Sequence, residues 1–261
     1  MEISDSHVVV TGAAHGIGRA LVERFATEGA RGLVVADRDL ATAAEVAAAV
    51  PNAIAVACDA GDPHSVAALI DTARNTFGEI DLFCANAGIG IGSWLESDDM
   101  VWDEVWRVNV MQHVWAARHL TPGWIERGSG HLLVTASAAG LLSQIGSAPY
   151  TLSKHAAVAF AEWFAITYGE NGLRCSCLCP QGVNTVLLTG DTLDATAANV
   201  VRAAGRVLEP AEVADSVVAG LRADDFLILP HREVADYVVS KATDRGKWIR
   251  AMQRLQARVR A

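Results

Sequence analysis

The chain has 261 residues, half of them hydrophobic (51%), which is enough for one large α/β domain with a sizeable core. Its formal net charge of −9 argues against nucleic acid as a general partner, since phosphate binding needs the opposite sign. There is no apolar run long enough to span a bilayer, and Met1–Asp5 lacks a basic and apolar leader pattern. Five cysteines, an odd number, fit reduced thiols and a cytoplasmic location better than a disulfide framework.

In chain order, short apolar runs alternate with longer helical patterns. Strands are predicted from His7 (HVVVTG), Gly32 (GLVVAD), Ala53 (AIAVACD), Ile80 (IDLFCANAG), His131 (HLLVTAS), Arg174 (RCSCLCP) and Phe226 (FLILP). Helices are predicted over 17–28, 40–50, 63–77, 98–126, 150–170 and 210–222. The strands are near-continuous in apolar residues, as strands buried on both faces of a parallel sheet are. This repetition reads as a doubly wound α/β sheet, with 1–230 as one domain. Cys175, Cys177 and Cys179 alternate on one strand and so share a face, where buried thiols are expected and no metal site. In the fourth helix Trp102, Trp106, Asn109 and His113 are expected to share a face, as core or subunit interface. Residues 231–261 carry eight Lys/Arg against three Asp/Glu. There Trp248, Met252, Leu255 and Val259 recur at helical spacing, so a basic tail helix is expected, packed on the domain or a neighbouring subunit.

Three features carry chemistry. First, the strand from His7 runs into Thr11-Gly12-Ala13-Ala14-His15-Gly16-Ile17-Gly18, a glycine-rich strand-to-helix turn where backbone can approach a pyrophosphate at a helix N-terminus. Second, Asp37 closes the second strand about 20 residues later, where a carboxylate accepts from ribose hydroxyls and repels a 2′-phosphate. That favours NAD, although the neighbouring Arg38 is able to pair with such a phosphate, which leaves NADP as the second reading. Third, Tyr150 and Lys154 stand four apart at the front of an apolar helix, so phenol and ammonium share one face. A nearby cation lowers a phenol's pKa from its usual value of about 10, which would make the pair an activated acid/base. Taken alone, the pair reads better as a helix-edge tyrosine with a snorkelling lysine, and the rest of the chain has to overturn that.

Together these motifs resemble the single-domain short-chain dehydrogenase/reductase family, to about Pro230. The resemblance implies a Rossmann-type parallel sheet of about seven strands flanked by helices, extended here by a C-terminal helical tail. It also implies NAD chemistry on a secondary alcohol or ketone, and association as a homotetramer or homodimer. By resemblance, the Gly12, His15, Gly16, Ile17 and Gly18 turn, with Asp37 and Arg38, holds the cofactor. Asp59 and Ala60 match the adenine contact, and Asn86-Ala87-Gly88 the segment closing the fourth strand beside the cofactor. Pro180, Val183 and Thr185 match positions holding the nicotinamide amide and pyrophosphate. Asn109 matches the residue that holds a relay water, and Ser137, thirteen residues before Tyr150, the serine that polarises the substrate oxygen. Tyr150 is then the acid/base, and Lys154 lowers its pKa and bonds the nicotinamide ribose. Gln181 departs from the family, which has glycine there. The segments 88–94, 140–147 and 187–207 are expected to ring an apolar pocket, the last as a lid, with Trp94, Gln144 and Gln181 as substrate contacts. The alternative is a dinucleotide-binding regulatory or scaffold protein with little turnover.

Overall fold

Seven apolar runs become the seven strands of one parallel sheet, and the segments between them become the helices covering it. The computed structural model describes residues 1–92, 94–190, 195–203 and 205–260. The chain runs β1 (His7–Thr11), α1 (Gly16–Thr27), β2 (Gly32–Asp37), α2 (Leu40–Ala48), β3 (Ala53–Ala57), α3 (Pro63–Phe77), β4 (Leu82–Ala85) and α4 (Asp99–Trp106). A π-helical turn (Arg107–Met111) leads into α5 (Gln112–Arg127), β5 (Gly130–Thr135), α6 (Ala138–Leu141), α7 (Ala148–Tyr168) and β6 (Leu173–Leu178). Then come α8 (Val186–Thr189), α9 (Ala195–Ala203), α10 (Pro210–Ala223), β7 (Leu227–Ile228), α11 (Glu233–Thr243) and α12 (Arg245–Arg260).

The strand order is β3-β2-β1-β4-β5-β6-β7, every neighbour parallel. Alternation along each strand sends side chains into two apolar layers. Val8, Val10, Leu33 and Val35 pack with Leu21 and Phe25 of α1 and Val213, Val217 and Leu221 of α10. Val9, Val34, Phe83 and Val134 pack on the other side with Leu69, Leu120, Trp124 and Phe164. Trp124 is fully buried because its indole N–H donates to the Ile80 carbonyl at 2.7 Å. Strand order reverses between β1 and β4, and the cleft opens at the carboxyl ends of those strands.

Helix starts follow local chemistry. Pro63 occupies the first turn of α3, while the Asp62 carboxylate accepts from the Ser65 N–H at 3.1 Å. The fourth predicted helix is a different matter. It is two helices joined by a π turn, and the extra residue rotates everything after it. Trp102, Trp106, Asn109 and His113 therefore do not share a face: Trp106 is 45% exposed, while Asn109 and His113 are fully buried. The three alternating cysteines are all buried, with the Cys177 and Cys179 sulfurs 3.7 Å apart.

The tail folds back on its own chain. Val234 of α11 and Trp248 of α12 pack against Ala138 and Leu142, and Lys241 Nζ donates to the carbonyls of Leu141 and Leu142 at 2.7 and 2.6 Å. No described helix is long and apolar enough to cross a membrane.

Two buried histidines give the fold an acid limit. Burial pushes His113 down to about 3, with the Lys154 ammonium adding to the effect, and burial does the same to His131. The unfolded chain binds these protons near pH 6.5, so between pH 6.5 and 3 it holds more protons than the folded chain. Stability is therefore full above pH 6.5 and is lost as the pH falls, with a slope approaching about 2.7 kcal/mol per pH unit for the pair. Urea unfolding at pH 7 and pH 5 is expected to show this loss, and His131→Gln to reduce it by roughly half. Equal stability at the two pH values would contradict the assignment.

Candidate active site

The glycine turn after β1 is shaped by close backbone approach. Gly12 has φ +63°, and a Cβ there would lie 2.8 Å from the Ala87 Cα. A Cβ on Gly18 would lie 2.1 Å from the Gly12 carbonyl oxygen. Side chains fasten this turn to β4. Thr11 Oγ1 accepts from the N–H groups of Asn86 and Ala87 at 3.0 and 3.1 Å, and donates to Gln112 Oε1 at 3.1 Å. Asn86 Nδ2 donates to the Thr11 carbonyl at 3.0 Å.

At the end of β2, the Asp37 carboxylate accepts from the N–H groups of Ala14 and Asp39, both at 3.0 Å. Arg38 is exposed beside it. Asp59 Oδ1 accepts from the Gly61 N–H at 2.8 Å, and Arg107 Nε donates to the Gly61 carbonyl at 2.8 Å, which fixes that loop.

Three elements bring the remaining polar groups together. Ser137 leaves β5 as the N-cap of α6, its Oγ accepting from the Ala139 N–H at 3.1 Å. Tyr150 and Lys154 occupy successive turns at the start of α7. Lys154 Nζ lies 5.6 Å from the centre of the Tyr150 ring and donates to the Thr135 carbonyl at 2.9 Å. The Ser137 hydroxyl and the Tyr150 phenol line the same stretch of cavity wall, and the serine acts to lower the phenol's pKa. Asn109, in the π turn, is fully occupied: Oδ1 accepts from the Ile89 N–H at 2.9 Å, and Nδ2 donates to the Ile89 carbonyl and Ser153 Oγ at 2.9 and 3.1 Å. It holds the strand end that carries Gly88, and a Cβ on Gly88 would sit 3.3 Å from Lys154 Nζ.

The electrostatics differ from the expectation of a lowered phenol pKa. Burial raises the Tyr150 pKa above its ordinary value, with the Ser137 hydroxyl pulling the other way. Burial pushes Lys154 itself down to about 8. Desolvation outweighs the cation because both groups are removed from water together.

One cavity of about 430 Å³ connects these groups to the glycine turn. Its wall takes in Asp37, Arg38, Asp59 and Ala60, then Gly12, His15, Gly16, Ile17, Gly18, Asn86, Ala87 and Gly88, and then Ser137, Tyr150, Lys154, Pro180, Val183 and Thr185, the last lying against Gly16. A groove with a bare-backbone centre and an amide-fixed carboxylate at one end fits a dinucleotide. The family model described as short chain dehydrogenase matches residues 6–195. The 1-deoxy-11-beta-hydroxypentalenate dehydrogenase of Streptomyces exfoliatus is 40% identical over 201 residues, 74% of this chain and 72% of that protein. The chain belongs to the short-chain dehydrogenase family.

Other members are similar too. The 3beta-hydroxysteroid dehydrogenase 2 of Eggerthella lenta is 34% identical over 70% of this chain and 72% of its own length. A short chain dehydrogenase/reductase from Burkholderia phymatum, solved in complex with NAD, matches with a TM-score of 0.85 at 31% identity, covering 94% of this chain and 95% of that one. As a short-chain dehydrogenase, this protein is an oxidoreductase acting on CH–OH groups.

Not every residue expected in this dehydrogenase's pocket is there. Gln144 and Gln181 line the cavity, and Gln144 Nε2 donates to the Ala197 carbonyl of α9 at 3.3 Å. Trp94 is not among the lining residues, and Asn109 stands behind the wall rather than in it. The Gln181 Oε1 is itself covered by protein. Of the expected lid, α8 and α9 supply Leu187, Leu188 and Val201 to the wall, while 191–194 and 204 lie outside the described residues. Sequence reasoning missed Glu104 and Val108, which reach the cavity from α4 and the π turn. It also missed Thr11 and Gln112, whose partners lie far away in sequence.

Proposed function

We propose that Tyr150 is the general acid/base with which this NAD-dependent oxidoreductase interconverts a hydrophobic secondary alcohol and its ketone. The observation that carries this reading is the convergence of the Ser137 hydroxyl, the Tyr150 phenol and the Lys154 ammonium at one end of the dinucleotide groove. When bound, NAD supplies the hydride acceptor for the carbinol carbon. The residues that would hold it are the Gly12–Gly18 turn for the pyrophosphate, Asp37 for the adenosine ribose, and Asp59 and Ala60 for the adenine. Pro180, Val183 and Thr185 would hold the nicotinamide amide and the pyrophosphate.

The chain's own residues handle the proton. Ser137 holds the substrate oxygen, and Tyr150 Oη takes its proton in oxidation or returns it in ketone reduction. The raised phenol pKa keeps Tyr150 protonated at neutral pH, ready to donate to a ketone oxygen. Lys154 sets a positive charge beside the phenol, which favours its deprotonated form when an alcohol is oxidised. Asn109 acts by fixing Ile89 and hence Gly88 next to Lys154.

The substrate end is lined by Ile89, Ile91, Leu187, Leu188 and Val201, which suits an apolar molecule. Gln144 and the Gln181 segment are its polar edge, as they line the same wall. The relatives named for hydroxypentalenate and hydroxysteroid oxidation support an apolar ring system as substrate. Leu152, Trp163 and Ile166 are 54%, 51% and 81% exposed along one stripe of α7, which supports a homotetramer or homodimer through that helix. Five free cysteines support a cytoplasmic location.

The test is a panel of alcohols and ketones with both dinucleotides, followed by nicotinamide absorbance. Turnover of apolar secondary alcohols with NAD is the expected result, and preference for a charged substrate or for NADP would contradict it. Asp37→Ser is expected to raise the KM for NAD about tenfold and to admit NADP, since a charge-assisted acceptor worth about 1.5–3 kcal/mol is removed. An unchanged NAD:NADP ratio would remove Asp37 from its role.

A further inference from the structure

One histidine outside the catalytic set joins two walls of the pocket. His231 follows β7, precedes α11, and is 3% exposed. Its Nδ1 lies 3.1 Å from the Gln181 backbone nitrogen, and its Nε2 lies 3.1 Å from the Arg206 carbonyl oxygen. The Gln181 N–H can only donate and the Arg206 carbonyl can only accept. The ring must therefore be neutral with its proton on Nε2, and this single tautomer satisfies both partners.

Both partners matter to the site. Gln181 is preceded by Pro180, whose carbonyl accepts from the Ala138 N–H at 2.8 Å and lies 3.4 Å from Ser137 Oγ. Arg206 leads out of the segment carrying α8 and α9. That segment then pairs with the β6 exit: the Leu208 N–H donates to Gly182 and the Asn184 N–H to Leu208, both at 2.9 Å. His231 closes this short ladder at its open end. One side of it sets where the Ser137 hydroxyl finds its acceptor, and the other holds the Arg206 carbonyl.

We propose that His231 is a positioning residue of the oxidoreductase, its Nδ1 aligning Pro180–Gln181 with Ser137 and its Nε2 anchoring the substrate-side segment through Arg206. The proposal rests on the Ser137–Tyr150 reading of the site. The two bonds then have different kinetic consequences: the Nδ1 bond governs the chemical step, and the Nε2 bond governs alcohol binding.

Two near-isosteric variants separate them. In His231→Asn the amide oxygen stands in place of Nδ1 but the second reach is lost; in His231→Gln the amide nitrogen stands in place of Nε2. Steady-state kinetics with an accepted alcohol, and calorimetric NAD binding, are measured for both and for His231→Ala. Losing one such buried bond is expected to change the affected constant about tenfold. His231→Asn should keep kcat within about twofold and raise the alcohol KM, and His231→Gln should do the reverse. His231→Ala should show both losses, with NAD affinity within about threefold of wild type. The proposal is overturned if the Asn and Gln variants change both constants alike, or if melting temperature and NAD affinity fall together in all of them. Should His231→Ala fail to fold, the Asn and Gln pair alone decides. Tyr150→Phe is run alongside: if that variant keeps full activity, the Tyr150 reading fails, whereas an Asn/Gln split would still stand.

Discussion

Tyr150→Phe is expected to lower kcat for alcohol oxidation by roughly 10³-fold, within the range of positioned acid–base catalysis. The change deletes one oxygen and leaves the ring in the cavity wall. NAD affinity should stay within about threefold, because the glycine turn and Asp37 are left unchanged. Melting temperature should change little, since the substitution removes a single hydroxyl. The split between lost turnover and retained binding is the informative result. A general structural role for the phenol would lower stability, binding and rate together.

Gly18→Ala is expected to remove NAD binding almost completely, by about 100-fold or more, because its effect falls on backbone. The added Cβ would meet the Gly12 carbonyl oxygen at 2.1 Å and Asn86 Nδ2 at 2.7 Å. No rotamer relieves a clash with a carbonyl oxygen, so the turn must open. Opening it moves the N–H groups that face the pyrophosphate and breaks the Asn86 bond to Thr11. Gly169→Ala is the control: nothing lies within 4 Å of its Cβ position, and NAD titration should match wild type. Retained NAD affinity in the Gly18 variant would mean that this turn is not the pyrophosphate site.

The parts of this fold legible in sequence are those fixed by local pattern. Each strand begins within about two residues of its apolar run, and Pro63–Phe77 matches because Asp62 and Pro63 mark its start chemically. The i, i+4 pairing of Tyr150 and Lys154 needed only helical geometry. The π turn was not legible, because its central Asn109 is held by the Ile89 backbone twenty residues away, a contact that local spacing does not show. Without that turn in view, a plain helical count put Trp106 and His113 on one face. The direction of the Tyr150 pKa was also hidden. Spacing shows that a cation is near, but not that both groups lose water. His231 was invisible for a related reason: its partners are 50 and 25 residues away and both are backbone atoms, which carry no sequence signature.

The tail shows the same division. Its stripe of Trp248, Met252, Leu255 and Val259 was readable as a packing face, but not the surface it meets. In the fold Trp248 reaches Leu142 at the end of the helix that Ser137 begins, and Lys241 fixes the last carbonyls of that helix. Spacing left the domain and a neighbouring subunit equally open as the surface met, and part of the tail's apolar surface is spent within the chain.

The most direct test of the central claim follows a label rather than a rate. A secondary alcohol accepted by the enzyme is prepared with deuterium on the carbinol carbon, and the reduced dinucleotide is examined by mass spectrometry after turnover. The account predicts one deuterium per reduced nicotinamide with wild-type enzyme, and almost no labelled product in the same time with Tyr150→Phe. Unlabelled dinucleotide from wild type, or equal labelling by the Tyr150 variant, would contradict it.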